Sequence, residues 1–255
     1  MTTPTIELIR RHGSVRHYKP DPVAPDIIEA LVAAAQRAST SSNLQMTSVV
    51  AVTDPAVRRR LSELCGGQAH VAQAPVFLAW CADLKRLDRA CELRGYTQVT
   101  AYVENFLVAA VDVAIAAQNA ALAAESLGLG ICYIGSIRNN VAAVIELLQL
   151  PRLVFPIVGM TVGWPATTPT VRPRLPLSAV LHWEHYDAAP KDAELAAYDR
   201  IMAATGIYQN RQVPVPGRPE QMEEYGWLEH SARRVAQAWR TELRAILEQQ
   251  GFDLK

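Results

Sequence analysis

The sequence predicts a three-layer fold in which helices cover a central sheet. Three observations lead to this prediction. Helical and strand-like patterns alternate through the middle of the 255-residue chain, the segment 98–127 is apolar on nearly every side, and the tail beyond residue 190 is helical. Alternating elements of this kind bury a sheet between helices, because each face of the sheet must be covered. A helix that is apolar all round must likewise be covered on several sides.

The first elements follow from capping signals. Pro4 fits the first position of a helix with Thr3 as its cap, and a basic segment at 10–17 follows this helix. Pro25 opens a second helix that continues to about residue 38. The hydroxyl and amide side chains of residues 39–43 compete for backbone hydrogen bonds, so they end that helix.

The remaining elements alternate up to a loop rich in proline and threonine at 165–176. Glycines after residues 65 and 127 end two of the helices. A composition shift near residue 165 is the one candidate boundary. Apolar spacing predicts strands at 48–53, 75–82, 130–134 and 154–162, and helices at 55–64, 98–127, 140–148, 192–204, 219–224 and 227–249.

Composition excludes several classes of protein. Lys plus Arg and Asp plus Glu both number 25, so the net charge is zero, and nucleic-acid binders usually carry a basic excess. The apolar stretch 106–129 is interrupted by polar residues and is a poor membrane span, and the N-terminus lacks the apolar core of a secretory signal. Four cysteines without paired or zinc-ligand spacing predict a reduced, cytoplasmic protein that holds no metal.

Two basic clusters are candidates for gripping a phosphate. The first is His12, Ser14 and Arg16, and the second is Arg172 and Arg174, which flank a proline. Arginine suits a phosphate because its planar fork donates two parallel hydrogen bonds. Taken separately, each cluster also fits an ordinary solvated basic loop.

Weaker signals lie between these clusters. Thr40, Ser41, Ser42 and Gln68 could bond the polar edge of a heterocycle, although a helix end and a turn explain them equally well. The glycine-rich stretch 128–136 follows a helix, so it is not a dinucleotide fingerprint, but it would let backbone N–H groups approach a flat ligand. We find no motif for a nucleophile, an acid–base pair or a metal, and therefore predict no catalytic side chain.

Six segments occur in order between residues 5 and about 200. They are TIELIRRHGSVRHY, ASTSSNLQ, GGQAHVAQAP, AAQNAALAAESLGLGICYIGSIRNN, LLQLP and VGWPATTPTVRPRLP. Together they resemble the oxygen-insensitive NADPH nitroreductase and flavin reductase P branch of the nitroreductase superfamily. The resemblance implies an α+β fold with a mixed, mostly antiparallel sheet wrapped by helices. It also implies a domain-swapped homodimer, in which an exchanged C-terminal segment completes the sheet and two FMN sites lie at the interface.

The resemblance assigns the candidate residues to one cofactor. His12, Ser14 and Arg16 match positions near the FMN phosphate and ribityl chain, and Arg172 and Arg174 match the pair that grips the phosphate. The flavin ring and its surroundings would be contacted by Thr40, Ser41, Ser42, Gln68, Ile134, Gly135 and Ser136. Ser136 stands where the family often has a second glycine.

Past residue 200 the resemblance concerns the electron donor. Arg211 matches one of two arginines that pair the 2′-phosphate of NADPH, whereas Gly206 stands at the other position, so either NADPH or NADH fits as donor. Arg240 matches a C-terminal arginine that enters the nicotinamide and substrate pocket. The segment 213–222 is an insertion. We therefore expect an FMN-binding core at 1–200 and a helical extension at 201–255 that forms part of this pocket and wraps the dimer.

The implied activity is a ping-pong, two-electron reduction of small acceptors such as nitroaromatics, quinones, free flavin or chromate. The flavin would carry the chemistry while the protein orients it. Two alternatives stay open: a flavin-binding redox sensor or store without turnover, and a flavin dehydrogenase of another substrate on the same fold.

Overall fold

A computed structural model describes residues 1–255. Contacts divide the chain into two compact units, Met1–Val171 with Arg240–Lys255, and Arg172–Trp239. The composition shift near residue 165 lies close to this division. The expected boundary between residues 200 and 201 falls inside the second unit.

The elements are as follows. The helices are α1 Pro4–Arg10, α2 Pro25–Ala35, α3 Pro55–Leu64, α4 Ala69–Gln73, α5 Lys85–Arg94, α6 Val103–Ser126, α7 Val141–Leu147, α8 Asp192–Ala204, α9 Trp227–Val235 and α10 Leu243–Gln249. The strands are β1 Thr47–Val52, β2 Val76–Asp83, β3 Gly130–Ile134, β4 Val154–Gly163, β5 Gln212–Val215 and β6 Arg218–Glu224.

A four-stranded sheet in the order β1-β2-β4-β3 forms the centre of the first unit. Every pairing in it is antiparallel, with Thr47 opposite Ala82 and Ile134 opposite Gly159. The expected α+β fold is confirmed, but these four strands do not make a mixed sheet. No parallel strand is among the four, and β1 and β3 form the two edges.

Helices cover both faces of this sheet. Strand β2 is buried along its whole length, because one of its faces packs under α2 and α6 and the other under α3 and α7. Alanines dominate the buried face of α6, and their small side chains let the helix lie close to the strands. The predicted three-layer arrangement is therefore present in this unit.

Helix α6 is long and apolar enough to cross a membrane by length and composition. Its packing is that of a core helix instead, since eight of its residues, Asp112 among them, are buried in the first unit. Helix formation begins at Val103, later than predicted, and ends where Gly128 adopts a left-handed conformation with φ of 81°.

The last residues of the chain return to the first unit. Phe252 is fully buried and makes edge-on contacts with Phe106 and Phe155, at centroid distances of 5.6 and 6.4 Å. The backbone N–H of Lys255 donates to the carbonyl of Ala101 at 2.7 Å. Residues 240–255 thus pack against the first unit of their own chain.

The second unit is built around aromatic side chains. Tyr198 and Met202 of α8 pack with Tyr208, and Tyr225 and Trp227 cover them. Segment 219–224, predicted as a helix, is strand β6 of a hairpin with β5, because Gly217 at φ of 77° turns the chain back. The predicted helix at 227–249 is wrong as one element, since α9 ends at Val235 and α10 begins at Leu243.

Candidate functional site

The basic segment after α1 is fixed to the open edge of β3. The N–H of Val15 donates to the carbonyl of Ile131 at 2.8 Å, and Val15 itself is buried. A Cβ on Gly130 would lie 2.4 Å from a methyl group of Val15, so the absence of a side chain there makes room for this residue. Neighbouring residues of an extended segment point to opposite sides. Ser14 and Arg16 are accordingly exposed on either side of the anchor.

His12 is held at the end of α6. Its Nδ1 lies 2.5 Å from a carboxylate oxygen of Glu125, and both side chains are partly buried. This contact fixes the ring and leaves Nε2 for a ligand. Sequence reasoning did not find Glu125 as the partner, since 113 positions separate the two residues.

A second group of polar side chains surrounds the turn after β3. Gln68 donates through Nε2 to Ser136 Oγ at 2.7 Å and to the carbonyl of Cys65 at 3.2 Å. Arg240 donates through Nε to Asn139 Oδ1 at 3.1 Å. The structure therefore brings Gln68, Ser136 and Arg240, which are far apart in the sequence, to one turn.

Backbone geometry leaves this turn open. Ile134 is buried as the last residue of β3, and Gly135 begins a short 3-10 turn. A Cβ on Gly135 would meet only Arg138, at 3.7 Å, so crowding within the chain does not require a glycine here. The open space above its backbone is what a flat ligand needs in order to approach closely.

The electrostatics of the region are positive. Burial lowers the pKa of His70, and the charges of Arg16 and His17 lower it further, so this imidazole is neutral at pH 7. Burial lowers the pKa of Arg138, and Arg240 adds to this effect. Burial also raises the pKa of Cys65 to about 11, although a hydrogen bond with Ser136 opposes the shift.

The hydroxyl run lies at a different place, in front of β1. Ser41 N and Met46 N donate to the two carboxylate oxygens of Asp112 at 3.0 and 3.4 Å, and Thr40 Oγ1 accepts from the N–H of Gln45 at 3.1 Å. Ser42 has φ of 49°, a left-handed conformation that is uncommon outside glycine. In the sequence, Asp112 is one of the polar residues that interrupt the apolar stretch 106–129. A carboxylate in the middle of an apolar helix is the signal that could have identified it as the anchor of this turn, because a buried charge needs hydrogen-bond partners.

The two groups in the first unit are not brought together within one chain. The turn holding Thr40, Ser41 and Ser42 leads into β1, whereas Ser14, Arg16 and Ser136 lie at β3, and these strands form opposite edges of the sheet. Three strand spacings separate the edges, roughly 14 Å.

Arg172 and Arg174 belong to the second unit. Arg174 is exposed and donates through Nη1 to the carbonyls of Arg172 and Pro173, at 3.1 and 3.2 Å. The hydroxyl of Tyr198 donates to the carbonyl of Pro173 at 3.1 Å and so ties this loop to α8. Neither arginine forms an ion pair with a carboxylate, so both guanidinium groups can bind an anionic ligand.

Arg211 lines a cavity of about 830 Å³ in the second unit. Its guanidinium lies over the ring of Tyr225, 5.8 Å from the centroid. Gly206 lines the same cavity and has φ of 71°, a conformation that an arginine would adopt only with strain. The cavity therefore offers one arginine, with Glu224 beside it.

Comparisons with known proteins agree with this architecture. The nitroreductase family matches residues 9–164, and the C-terminal domain of the nitroreductase family matches residues 172–255. The chain is 46% identical to the oxygen-insensitive NADPH nitroreductase of Salmonella typhimurium, over 79% of this chain and 82% of that protein. It is 39% identical to the CR(VI) reductase of Pseudomonas sp. strain G-1, over 98% of this chain and 99% of that one.

A solved structure extends the likeness over the whole fold. NADPH:FMN oxidoreductase from Vibrio harveyi, complexed with NAD⁺, superposes with a TM-score of 0.86 at 34% sequence identity and covers 99% of this chain and 100% of that chain. Both parts of the sequence match, and the relatives align along most of their length. The chain belongs to the nitroreductase family.

Proposed function

We propose that the protein is an FMN-dependent NAD(P)H oxidoreductase that reduces nitroaromatics, quinones or free flavin by two electrons. The observation that carries the proposal is the donor set at the β3 edge, where Arg16 and Ser14 lie on one exposed segment and Gln68 meets Ser136 at 2.7 Å. The relatives named NADPH nitroreductase and NADPH:FMN oxidoreductase support it.

The residues present fit FMN. Ser14, Arg16 and the free nitrogen of His12 would hold the phosphate and ribityl chain, because charge-assisted hydrogen bonds to phosphate are the strong ones. The family resemblance assigns Arg172 and Arg174 to the same phosphate. Gln68, Ser136 and the backbone at Ile134 and Gly135 would hold the flavin ring. Bound FMN would supply the hydride chemistry, accepting two electrons from the nicotinamide and passing them to the acceptor.

The side chains of this chain bind and orient, and none needs to act as an acid or base. The positive charges of Arg16 and Arg240 would stabilise negative charge on the bound cofactor during reduction. Donor and acceptor would use the same open face in turn, so initial-rate kinetics should follow a ping-pong pattern. The family resemblance assigns Arg211 and Arg240 to the donor and acceptor pocket.

Anaerobic mixing with NADPH or NADH tests the proposal directly. The FMN-loaded protein should lose its absorbance near 450 nm with at least one donor, and steady turnover with menadione or nitrofurazone should follow.

Because a single arginine, Arg211, lines the cavity in the second unit, we expect a preference between NADPH and NADH of less than about tenfold. Absence of bleaching with both donors would instead favour a flavin-binding sensor or store, and bleaching without turnover of any of these acceptors would favour a dehydrogenase of another substrate.

We also propose that two copies complete each FMN site. The hydroxyl run and the Arg16 segment lie at opposite edges of the sheet. A flavin held by the β3 edge of one chain would therefore receive Thr40, Ser41 and Ser42 from its partner. Helix α6 supports this arrangement with an exposed apolar stripe at four-residue spacing, whose members are 41–53% exposed: Val103, Leu107, Val111 and Ile115.

Charges placed on this stripe should separate the copies. The double variant Val111→Lys, Ile115→Lys should elute as a monomer and lose most of its FMN, since the buried charges would oppose association. Size-exclusion chromatography with light scattering, together with the flavin absorbance, measures both effects. The control is Glu104→Lys on the exposed first turn of the same helix, which should stay dimeric. A dimeric, fully loaded double variant would contradict the proposed interface.

A cytoplasmic location fits the cysteines. All four thiols are free, and three are buried. Burial raises the pKa of Cys81 to about 12 and also raises that of Cys132, so these thiols stay protonated and unreactive at neutral pH. This pattern is typical of a protein kept in a reducing compartment.

A further inference from the structure

Arg58 is a buried cation without an acidic partner. Its side chain lies at the start of α3, and the residue is only 8% exposed. None of the eight ion pairs of the chain includes it. The nearest carboxylate influence comes from Asp54, which is exposed and accepts from the N–H groups of Ala56 and Val57 as the cap of α3. A buried charge without a counter-charge is costly, so this position calls for an explanation.

The hydrogen bonds of Arg58 leave one edge of its guanidinium unused. Nη1 donates to the carbonyls of Ala72 and Ala74 at the end of α4, the first of them at 3.2 Å. Nε is buried and has no partner, and Nη2 makes no hydrogen bond. Because the protein encloses Nε, Nη2 is the donor that a ligand can reach, and a charged N–H of this kind pairs strongly with a carboxylate oxygen.

The arginine lines a half-open cavity of about 340 Å³. The remaining wall is apolar or uncharged and consists of Pro20, Pro22, Val23, Thr53, Ala72, Gln73 and Pro75. No other charged residue lines it. We propose that this cavity binds a small carboxylate whose charge pairs with the free edge of Arg58 and whose hydrocarbon body rests on the proline rings.

This site is separate from the residues assigned to FMN. It is coupled to them through α4, because Nη1 of Arg58 holds the C-terminal end of that helix while Gln68 stands at its beginning. A carboxylate on the other edge of the same guanidinium would fix the arginine and with it the short helix. Binding of a carboxylate at this cavity does not depend on the proposed reaction with nicotinamides.

Calorimetric titration of the FMN-loaded protein tests the inference. Cyclohexanecarboxylate should bind at least about tenfold more tightly than cyclohexanecarboxamide, which has the same shape without the charge. The matched control is Arg59→Gln, which removes an exposed arginine from the next position and should keep this preference. Arg58→Gln should abolish it.

A second variant covers the case in which Arg58→Gln does not fold. Thr53 is exposed at the rim of the cavity, and Thr53→Phe would fill the cavity while keeping the arginine. The preference for carboxylate should disappear in this variant too. Equal binding of acid and amide by the unaltered protein, or a preference that survives in Thr53→Phe, would overturn the site.

Discussion

Protein carrying Arg16→Ala and Arg174→Ala together will retain little FMN, and its Kd for FMN will rise at least about 100-fold. The reason is that each substitution removes a charged donor from the proposed phosphate site, where a hydrogen bond to a charged group contributes about 1.5–3 kcal/mol. Both arginines are exposed, and neither takes part in an ion pair with an acidic residue, so their loss should cost little folding stability.

Quenching of FMN fluorescence on titration with apoprotein measures this Kd. The control is Arg11→Ala with Arg218→Ala, which removes two exposed arginines of the same chain from positions outside the site. The control protein should bind FMN like the unaltered protein, and circular dichroism should show both double variants folded. Full FMN occupancy in Arg16→Ala, Arg174→Ala would show that the phosphate site has been misassigned.

Phe252→Ala should lower the free energy of unfolding by about 3–5 kcal/mol. The ring is fully buried between Phe106 and Phe155, so its removal leaves a cavity and also releases the tail from the sheet. Edge-on contacts between aromatic rings add to the loss. An effect of this size would show that residues 240–255 are part of the core of the first unit.

Urea denaturation followed by tryptophan fluorescence gives the comparison. Tyr96→Ala is the matched control, because this aromatic side chain is 73% exposed and its removal should change the free energy of unfolding by no more than about 0.5 kcal/mol. A Phe252→Ala protein as stable as the control would contradict the packing of the C-terminal segment described above.

Local signals predicted most of the first unit. Helix α3 and strand β3 have the predicted bounds, and Thr3 caps α1 through a hydrogen bond from Ile6 N at 3.3 Å. Local pattern does not predict helix α5, none of whose residues is fully buried in the structure. Local pattern predicts a helix at 219–224, because the glutamates, glutamine and methionine of this segment favour helices, but pairing with β5 makes it strand β6.

The site was predictable residue by residue only through the family resemblance. Nothing in local pattern connects Gln68 with Ser136 or Arg240 with Asn139, since these contacts depend on how β3 and the tail pack. The unpartnered donors of Arg58 were likewise invisible in the sequence, because burial and hydrogen-bond partners are properties of the folded chain. The kinds of hydrogen-bond donor can be read from the sequence, whereas the fold determines which of them lie together.

The contact between Val15 and Gly130 separates folding from recognition in the segment that carries Ser14 and Arg16. The side chain of Val15 occupies the space that a side chain at position 130 would take, and its N–H is bonded to β3. The loop therefore keeps its place whatever residues stand at positions 14 and 16. An engineer could therefore vary positions 14 and 16 to accept a differently charged ligand without redesigning the scaffold. Gly130→Ala would push a methyl group against Val15 and displace the loop, so such a library must keep this glycine.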